Sequence, residues 1–407
     1  MSNTQTTGVN KLLLLSTMLL IVFGIVVVYT ATTPQAFKMG LPSEYYLKKH
    51  CLKVVACLAA MFFGARVDYS IWKKASRLIF IVGCALTFAA IVKGWVTAGT
   101  AAQAAVKGAN RWIFGIQPSE IMKLGFILMI ATKLSDAGTE IKSITCSLKQ
   151  PAVPLLIVTV LLVLQPNYSM LVMFCGIMLA MLFVAGARLK YVAEGFGVYG
   201  GIGAIGVLIK SLKAMFGEKH FHVADRIGAF FNPAEHQNGV EQGERSLEAL
   251  GNGGIFGAGI GNGSVKFGYL PEAHKDVVYS VIGEEFGFVG TAAVLGVFAI
   301  IFYQGFEIAK NSQTRFGKCL AVALTISLFL NFIVHVCVST GLIPTTGQPL
   351  PFLSFGGTNL IISGLFIGIL LNISKTGTGK KIDEAYAGDE RMNVYTFGGF
   401  DIARTET

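Results

Sequence analysis

The segment Tyr269-Leu-Pro-Glu-Ala-His-Lys-Asp276 leads directly into an apolar run, residues 277–305, whose charged residues are Glu284 and Glu285. A helix that crosses a bilayer needs about 20 mostly apolar residues. The run therefore predicts a membrane span with a cluster of ionisable side chains immediately before it. Chemistry on a lipid-attached substrate needs acid, base and cationic groups at the depth of the lipid headgroups, so Asp276 is the first candidate for a catalytic residue.

Composition indicates that the whole chain, rather than one segment, belongs in a membrane. Of the 407 residues, 53% are apolar and 14% are charged, whereas soluble domains carry about 25% charged residues. The sequence predicts an all-α polytopic membrane protein with ten transmembrane helices. The predicted spans lie near residues 12–32, 48–66, 74–95, 117–135, 151–165, 168–187, 191–212, 277–305, 317–341 and 352–374.

Lys and Arg in the short loops predict the orientation of these spans, because cytoplasmic loops carry an excess of both. Both termini are then cytoplasmic, and residues 213–275 form a large extracytoplasmic loop between helices 7 and 8. Residues 1–375 make one membrane domain, and residues 376–407 make a polar cytoplasmic tail that we expect to be disordered. The positive charges that follow the even-numbered spans are Arg66, Lys73, Lys74, Arg77, Lys142, Lys149, Arg188, Lys190, Lys310, Arg315, Lys318, Lys375, Lys380 and Lys381.

Charge and metal-ligand spacing argue against two classes of function. The net charge of +10 is spread over loops on both faces and contains no run typical of nucleic-acid binding. Anionic lipid headgroups are the more natural partner. The seven cysteines and six histidines show no metal-binding spacing, so the sequence predicts no dedicated protein metal site.

Glycines fill more than half of the positions in residues 251–263. The stretch has no Gly-x-Gly-x-x-Gly register and no Gly-Lys-Ser or Gly-Lys-Thr after it, which argues against a nucleotide site. Glycines this dense permit tight turns that lay a loop flat on the membrane, or a close approach of backbone N–H groups to a phosphate. The sequence alone leaves both roles open.

Charged residues inside the predicted spans need partners. An isolated charge near the bilayer centre costs about 2.5–3.5 kcal/mol, so each must be paired or must face a water-filled cavity. Glu120 and Lys123 stand three residues apart and can pair on one helix face, either as a structural ion pair or as part of a cavity that Asp276 also faces. Of Glu284 and Glu285, we expect one to line that cavity while the other braces a neighbouring helix.

Asp276 has a structural alternative, because an Asp immediately before an apolar helix is a typical N-cap. Its carboxylate would then accept the backbone N–H of Val278 or Tyr279. Periodicity and position leave capping and catalysis open.

Six sequence blocks stand out along residues 108–374: Gly108-Ala-Asn-Arg-Trp-Ile-Phe-Gly115, Gln117-Pro-Ser-Glu-Ile-Met-Lys123, Gly253-Gly-Ile-Phe-Gly-Ala-Gly259, Tyr269-Leu-Pro-Glu-Ala-His-Lys-Asp276, Gly283-Glu-Glu-Phe-Gly287 and Gly341-Leu-Ile-Pro-Thr-Thr-Gly-Gln-Pro-Leu-Pro-Phe-Leu-Ser-Phe-Gly-Gly357. In this order they resemble the SEDS family of shape, elongation, division and sporulation proteins, which includes the FtsW and RodA type peptidoglycan polymerases. Residues 261–274 look closer to FtsW than to RodA.

The resemblance implies a glycosyltransferase that polymerises lipid II, the undecaprenyl-pyrophosphate disaccharide-peptide, at the outer face of the bacterial inner membrane. It implies a class B penicillin-binding protein as transpeptidase partner, together with other membrane proteins of the division or elongation machinery. The essential Asp of the family corresponds to Asp276, which would act as general base. No cofactor is required by the sequence, although a divalent cation, Mg or Mn, could bridge pyrophosphate and carboxylate.

Other polar residues of these blocks and of the large loop are expected to surround the substrate. Cations near the departing pyrophosphate would stabilise its growing negative charge. Beyond the base, the predicted substrate-binding residues are Arg111, Glu120, Lys123, Arg226, Lys266, Glu272, His274, Lys275 and Ser354.

The chain departs from the family pattern at several positions, of which two bear on the chemistry. Lys275 stands where the family usually has Thr, and its charge should favour the ionised carboxylate of Asp276 and shift the pH optimum. Asn167 stands where the family usually has Asp.

Two rival functions remain at this point: a lipid II flippase, or a non-enzymatic scaffold for the division or elongation machinery. Division is favoured over elongation by the likeness to FtsW.

Overall fold

The computed structural model describes residues 9–98, 111–113, 115–137, 150–187, 237–263, 277–344, 346–376, 393–397 and 400–404, with the single residues 190 and 197. All structural statements below refer to these residues. The helices are α1 Lys11–Lys38, α2 Tyr45–Arg66, α3 Tyr69–Ala98, α4 Pro118–Ala137, α5 Gln150–Leu164, α6 Tyr168–Val184, α7 Gln237–Gly253, α8 Val278–Lys310, α9 Arg315–Ser339 and α10 Thr358–Thr376.

Five of the described helices, α1, α3, α8, α9 and α10, are long and apolar enough to cross a membrane. The helices α5 and α6 are apolar but shorter, whereas α2 and α4 carry charged residues along their length. The structure confirms a polytopic membrane protein built from α-helices. The count of ten spans stays a prediction, because the predicted seventh span, residues 191–212, lies almost wholly outside the described residues.

Helices pack closely where one of them offers a glycine. A Cβ atom at Gly125 of α4 would collide with the backbone of Phe80 in α3, and one at Gly368 of α10 would collide with the backbone of Met61 in α2. Small residues allow membrane helices to approach in this way, and dispersion contacts then hold them together. The pairs α3–α4 and α2–α10 are accordingly extensive interfaces.

Side-chain contacts define two ends of the helical bundle. At one end, Asn10 Nδ2 donates to Gln304 Oε1 at 2.7 Å, which joins the start of α1 to the last part of α8. There the amide of Tyr69 also donates to Asn372 Oδ1 at 3.0 Å, which joins the start of α3 to the end of α10. The other end holds the first turns of α2, α4, α8 and α10 and the connection 340–357, and we call it the site end.

The connection between α9 and α10 is irregular where the sequence predicts part of a span. The tenth span was predicted to begin near residue 352, but α10 begins at Thr358. Prolines cannot continue a helix, and Phe352 has a φ of 65°. Residues 350–354 of the connection are nevertheless buried, and the Phe352 carbonyl packs against Gly24, midway along α1. It therefore enters the bundle and closes its site end.

Two short strands, β1 Asn393–Phe397 and β2 Phe400–Arg404, pair antiparallel within the polar tail. The hairpin lies within residues 376–407, for which the sequence predicts disorder. A single two-stranded hairpin is marginally stable in water, and the prediction for the tail stays untested.

Candidate active site

The helix α8 is broken at Gly287, whose backbone has a φ of 67° and a ψ of −164°. The break frees carbonyl and N–H groups inside the bundle, where each unsatisfied backbone group costs several kcal/mol. Residues that follow α7 supply the missing partners. The amides of Ala258 and Gly259 donate to the carbonyls of Glu284 and Glu285 at 2.9 and 3.1 Å.

The backbone N–H groups that follow the break also find partners in the loop. The amides of Phe288 and Val289 donate to the carbonyls of Gly254 and Ile255 at 2.9 and 3.1 Å. The glycine-rich stretch is thus bonded to α8 on both sides of Gly287. These bonds attach residues 254–259 to α8.

Close approach to α8 explains several of the glycines in residues 251–263. Gly257 has a φ of 85°, and a Cβ atom there would collide with the carbonyl of Glu285. A Cβ atom at Gly263 would contact the carboxylate of Glu284. Of the two roles that the sequence leaves open, the described geometry favours tight turns, but these turns dock on α8. Both glutamate side chains are almost fully buried beneath the loop.

The first turn of α8 is held by neighbouring helices. The hydroxyls of Ser246 in α7 and Ser280 in α8 lie 2.5 Å apart, and Ser246 Oγ also donates to the carbonyl of Ser339 at the end of α9 at 3.0 Å. The hydroxyl of Tyr279 donates to the carbonyl of Thr291, beyond the break in the helix, at 3.3 Å. These contacts join three helices at the point where α8 begins.

A buried imidazole also contacts this first turn. His335 of α9 is fully buried; its Nδ1 lies 2.9 Å from the carbonyl of Gln348, and its Nε2 lies 3.5 Å from the amide nitrogen of Tyr279. A carbonyl accepts and an amide donates, so these contacts assign the ring hydrogen to Nδ1 and an acceptor lone pair to Nε2. Sequence reasoning did not identify His335.

The predicted residues Glu120 and Lys123 form a buried pair. Glu120 Oε2 lies 2.8 Å from Lys123 Nζ, and each side chain is 1% exposed. Asn359 Nδ2 of α10 donates to the second oxygen, Glu120 Oε1, at 3.5 Å, and the amide of Gln117 donates to Thr358 Oγ1 at 2.9 Å. The pair therefore belongs to a polar connection between the first turns of α4 and α10.

Two other predicted residues are engaged with the backbone. The guanidinium of Arg111 donates to the carbonyl of Pro166 at 2.5 Å, in the turn between α5 and α6. The hydroxyl of Ser354 accepts the amide of Leu350 at 2.8 Å and is almost fully buried. It stabilises the connection that leads into α10, and substrate contact by either residue stays a prediction.

The remaining predicted site residues lie outside the described part of the chain. The general base Asp276 is among them, and its capping role is likewise untested. The others are Arg226, Lys266, Glu272, His274 and Lys275.

A cationic and aromatic cluster at the start of α2 was not predicted. Lys53 Nζ lies 3.6 Å from the ring centroid of Phe355, and the buried imidazole of His50 lies beside the same ring, at a centroid distance of 5.9 Å. A Cβ atom at Gly357 would lie 3.8 Å from Lys53 Cε and 3.9 Å from the carbonyl oxygen of Gly115. The sequence did contain a signal for this cluster. The lysines of α2 lie near the end of the span that is predicted to face the outside of the membrane, where Lys and Arg are less common than on the cytoplasmic side.

The described residues contain no group of three or more His, Cys, Asp or Glu side chains that could hold a metal ion.

The family of the chain follows from comparison of its whole sequence. The profile of the FtsW/RodA/SpoVE family, described as cell cycle proteins, matches residues 10–378. The chain belongs to the FtsW/RodA/SpoVE family. It is 35% identical over 368 residues to the probable peptidoglycan glycosyltransferase FtsW of Trichlorobacter lovleyi, covering 89% of this chain and 92% of the relative. It is 33% identical over 378 residues to the stage V sporulation protein E of Bacillus subtilis, covering 91% and 98%.

Two solved structures share the fold of this chain. A chain from a peptidoglycan synthase complex that coordinates polymerization and crosslinking matches with a TM-score of 0.66 at 20% identity, covering 91% of this chain and 99% of that chain. The rod shape determining protein RodA of Thermus thermophilus matches with a TM-score of 0.62 at 19% identity, covering 93% and 100%. The two matches extend over nearly the whole length of the FtsW/RodA/SpoVE fold.

Proposed function

We propose that this protein is a peptidoglycan glycan-strand polymerase that uses lipid II as its substrate. The observation that carries the proposal is its similarity, over 92% of the relative's length, to a protein named as a peptidoglycan glycosyltransferase FtsW. The buried polar groups at the site end support it, because a reaction between lipid-linked sugars needs charged groups held at the edge of a membrane domain.

The proposal includes a topology. Ten spans with both termini in the cytoplasm put the first turns of α2, α4, α8 and α10, and the connection 340–357, at the outer face of the inner membrane. The described contacts support this arrangement, since Gln117 before α4 bonds to Thr358 of α10, and Lys53 of α2 lies against Phe355 of the connection 340–357. A lipid-linked substrate in the outer leaflet would then present its pyrophosphate to the site end.

The chemical step is a transfer of the glycan from lipid pyrophosphate to a sugar hydroxyl. The GlcNAc 4-hydroxyl oxygen attacks the anomeric carbon of MurNAc, the bond from that carbon to the pyrophosphate oxygen breaks, and the hydroxyl proton moves to the Asp276 carboxylate. A positioned general base contributes about 10²–10⁴-fold to such a step. The departing pyrophosphate gains negative charge, which nearby cations stabilise.

The cations proposed for this role come from several segments. Lys123 is held beside Glu120 in the bundle, and Arg111 is held at the α5–α6 turn. Arg226, Lys266 and Lys275 are proposed from sequence alone. We add Lys53, because its ammonium lies at the start of α2 against the connection that closes the site end.

A divalent cation that bridges pyrophosphate and the Asp276 carboxylate stays a proposal, because Asp276 lies outside the described residues. Glu120, the acidic residue of the α4–α10 connection, already pairs with Lys123 at 2.8 Å. No catalytic step is therefore derived through a metal.

A class B penicillin-binding protein is the proposed partner, and crosslinking of the new strand would be its reaction. Support comes from the fold match to a chain of a synthase complex that coordinates polymerization and crosslinking. The likeness to FtsW favours a role in septal synthesis. Depletion in cells would test that role: filaments or chains indicate division, and round cells indicate elongation.

The decisive experiment supplies labelled lipid II to the purified protein with its transpeptidase partner and measures glycan strands by gel electrophoresis. We expect polymer from wild type and none from Asp276→Asn. The matched control is Asp136→Asn, which removes an exposed carboxylate that pairs with Lys73 and should leave polymer formation unchanged. Polymer from Asp276→Asn would exclude Asp276 as the base, and absence of polymer from the folded wild-type protein bound to its partner would favour a flippase or a scaffold.

A further inference from the structure

The start of α8 has a capping requirement that its own residues do not meet. The first N–H groups of any helix lack intrahelical acceptors. The N-cap residue of α8, Val277, makes no side-chain capping bond. The sequence offers Asp276 for this purpose, with the amides of Val278 and Tyr279 as its donors.

His335 takes one of those two donors. Its Nε2 lies 3.5 Å from the amide nitrogen of Tyr279, and its Nδ1 is fixed 2.9 Å from the Gln348 carbonyl. The imidazole therefore acts as an N-cap supplied by another helix, with its orientation set from the opposite side of the ring. It is fully buried, so water does not compete for either contact.

The chain places Asp276 close to this contact. Tyr279 is three positions further along the chain, and an extended chain over three positions spans at most about 11 Å. Any rotation or shift of the first turn of α8 is thus transmitted directly to residue 276. Reacting groups displaced by about 1 Å lose rates on the order of 10²-fold.

We propose that His335 is a positioning residue for the polymerase reaction. By accepting the Tyr279 amide, it holds the first turn of α8 and satisfies one of the two N–H groups that Asp276 could cap, so that the helix start next to the base keeps its position during the reaction. The bond from Nδ1 to Gln348 connects this function to the connection 340–357. The inference rests on the proposed function, in which Asp276 is the base.

Three variants test the role. His335→Phe keeps a ring of similar size but removes both nitrogens, whereas His335→Gln keeps one donor and one acceptor. Thr325→Val is the control: it removes the bond from Thr325 Oγ1 to the Ala321 carbonyl in the same helix, ten residues, or about 15 Å, from His335. Initial rates of lipid II polymerisation give kcat and KM for each variant.

We expect His335→Phe to lower kcat by about 10- to 100-fold with KM nearly unchanged, because the substrate still binds while the base is displaced. His335→Gln should recover most of the rate, and Thr325→Val should match wild type. Equal kcat in wild type and a folded His335→Phe would overturn the proposal, as would a loss that His335→Gln does not repair.

If His335→Phe does not fold, a second measurement tests the proposal without that variant. Hydrogen exchange of segment 277–281 in wild type should show the Tyr279 amide protected, and the same protection is expected in His335→Gln. An amide that exchanges as fast as an open loop would refute the capping contact. Failure of the proposed function can be distinguished from failure of the His335 proposal. If Asp276 is not the base, Asp276→Asn makes glycan strands whichever residue occupies position 335.

Discussion

Glu120 Oε2 lies 2.8 Å from Lys123 Nζ inside α4, with both side chains 1% exposed. Removal of one member of such a buried pair leaves an uncompensated charge, which costs far more than the net interaction of the pair is worth. The two readings from sequence, a structural ion pair and a substrate contact, therefore need separate measurements of stability and activity.

Lys123→Met should lower the free energy of unfolding by about 3–5 kcal/mol, because Glu120 stays buried without its partner. The double variant Glu120→Gln with Lys123→Met should regain most of that stability but not the polymerase activity, since we propose that Lys123 also faces pyrophosphate. Thermal unfolding in detergent and glycan synthesis measure the two effects. Lys48→Met is the control, because the exposed pair of Lys48 with Glu44 should contribute about 0–1 kcal/mol. An active double variant would assign the pair a structural role alone.

Lys275→Thr should move the acidic limb of the pH–rate profile to higher pH while activity is retained. A neighbouring cation favours the ionised carboxylate of Asp276, so its removal allows protonation, and loss of the base, at a higher pH. The profile of initial rates between weakly acidic and neutral pH measures the shift. An unchanged profile would contradict the expected interaction between Lys275 and Asp276.

Hydropathy predicted the helices well, but it did not predict where α8 is broken. The predicted span at 277–305 corresponds to α8, Val278–Lys310, because long apolar runs have one stable arrangement in a bilayer. The break at Gly287 is repaired by backbone bonds from residues 254–259, and such bonds leave no side-chain signal in the sequence. The sequence shows the glycines of residues 251–263, but it does not show that they dock on α8.

Sequence reasoning predicted those contacts of the site in which both side chains lie on the same helix. The pairing of Glu120 with Lys123 follows from their spacing on α4. Asn359 and His335 were missed because their partners lie far away in sequence: Asn359 is 239 residues from Glu120, and His335 is 56 residues from Tyr279. Contacts of this kind depend on which helices become neighbours, and periodicity within one helix carries no information about that.

Gly257→Ala should destabilise the docked loop more than Gly261→Ala, although both glycines have a φ above 80°. A non-glycine residue in this conformation costs about 1–2 kcal/mol in either position. At Gly257 the new Cβ atom would also collide with the Glu285 carbonyl, whereas Gly261 has open space around it. Proteolysis of the loop and thermal unfolding measure the difference. Equal effects of the two substitutions would argue against docking of residues 254–259 on α8.

Lys53→Gln should raise the KM for lipid II by about tenfold, equivalent to roughly 1.4 kcal/mol of binding, with kcat little changed. The physical reason is that an ammonium held 3.6 Å from the Phe355 ring adds positive charge at the end of the bundle where the pyrophosphate is proposed to bind. Initial-rate measurements over a range of lipid II concentrations separate the two constants. The matched control is Lys48→Gln, five residues earlier in α2, whose side chain pairs with Glu44 and is largely exposed; this substitution should leave KM unchanged. If both substitutions raise KM equally, the effect is a general loss of surface charge, and Lys53 has no specific role in substrate binding.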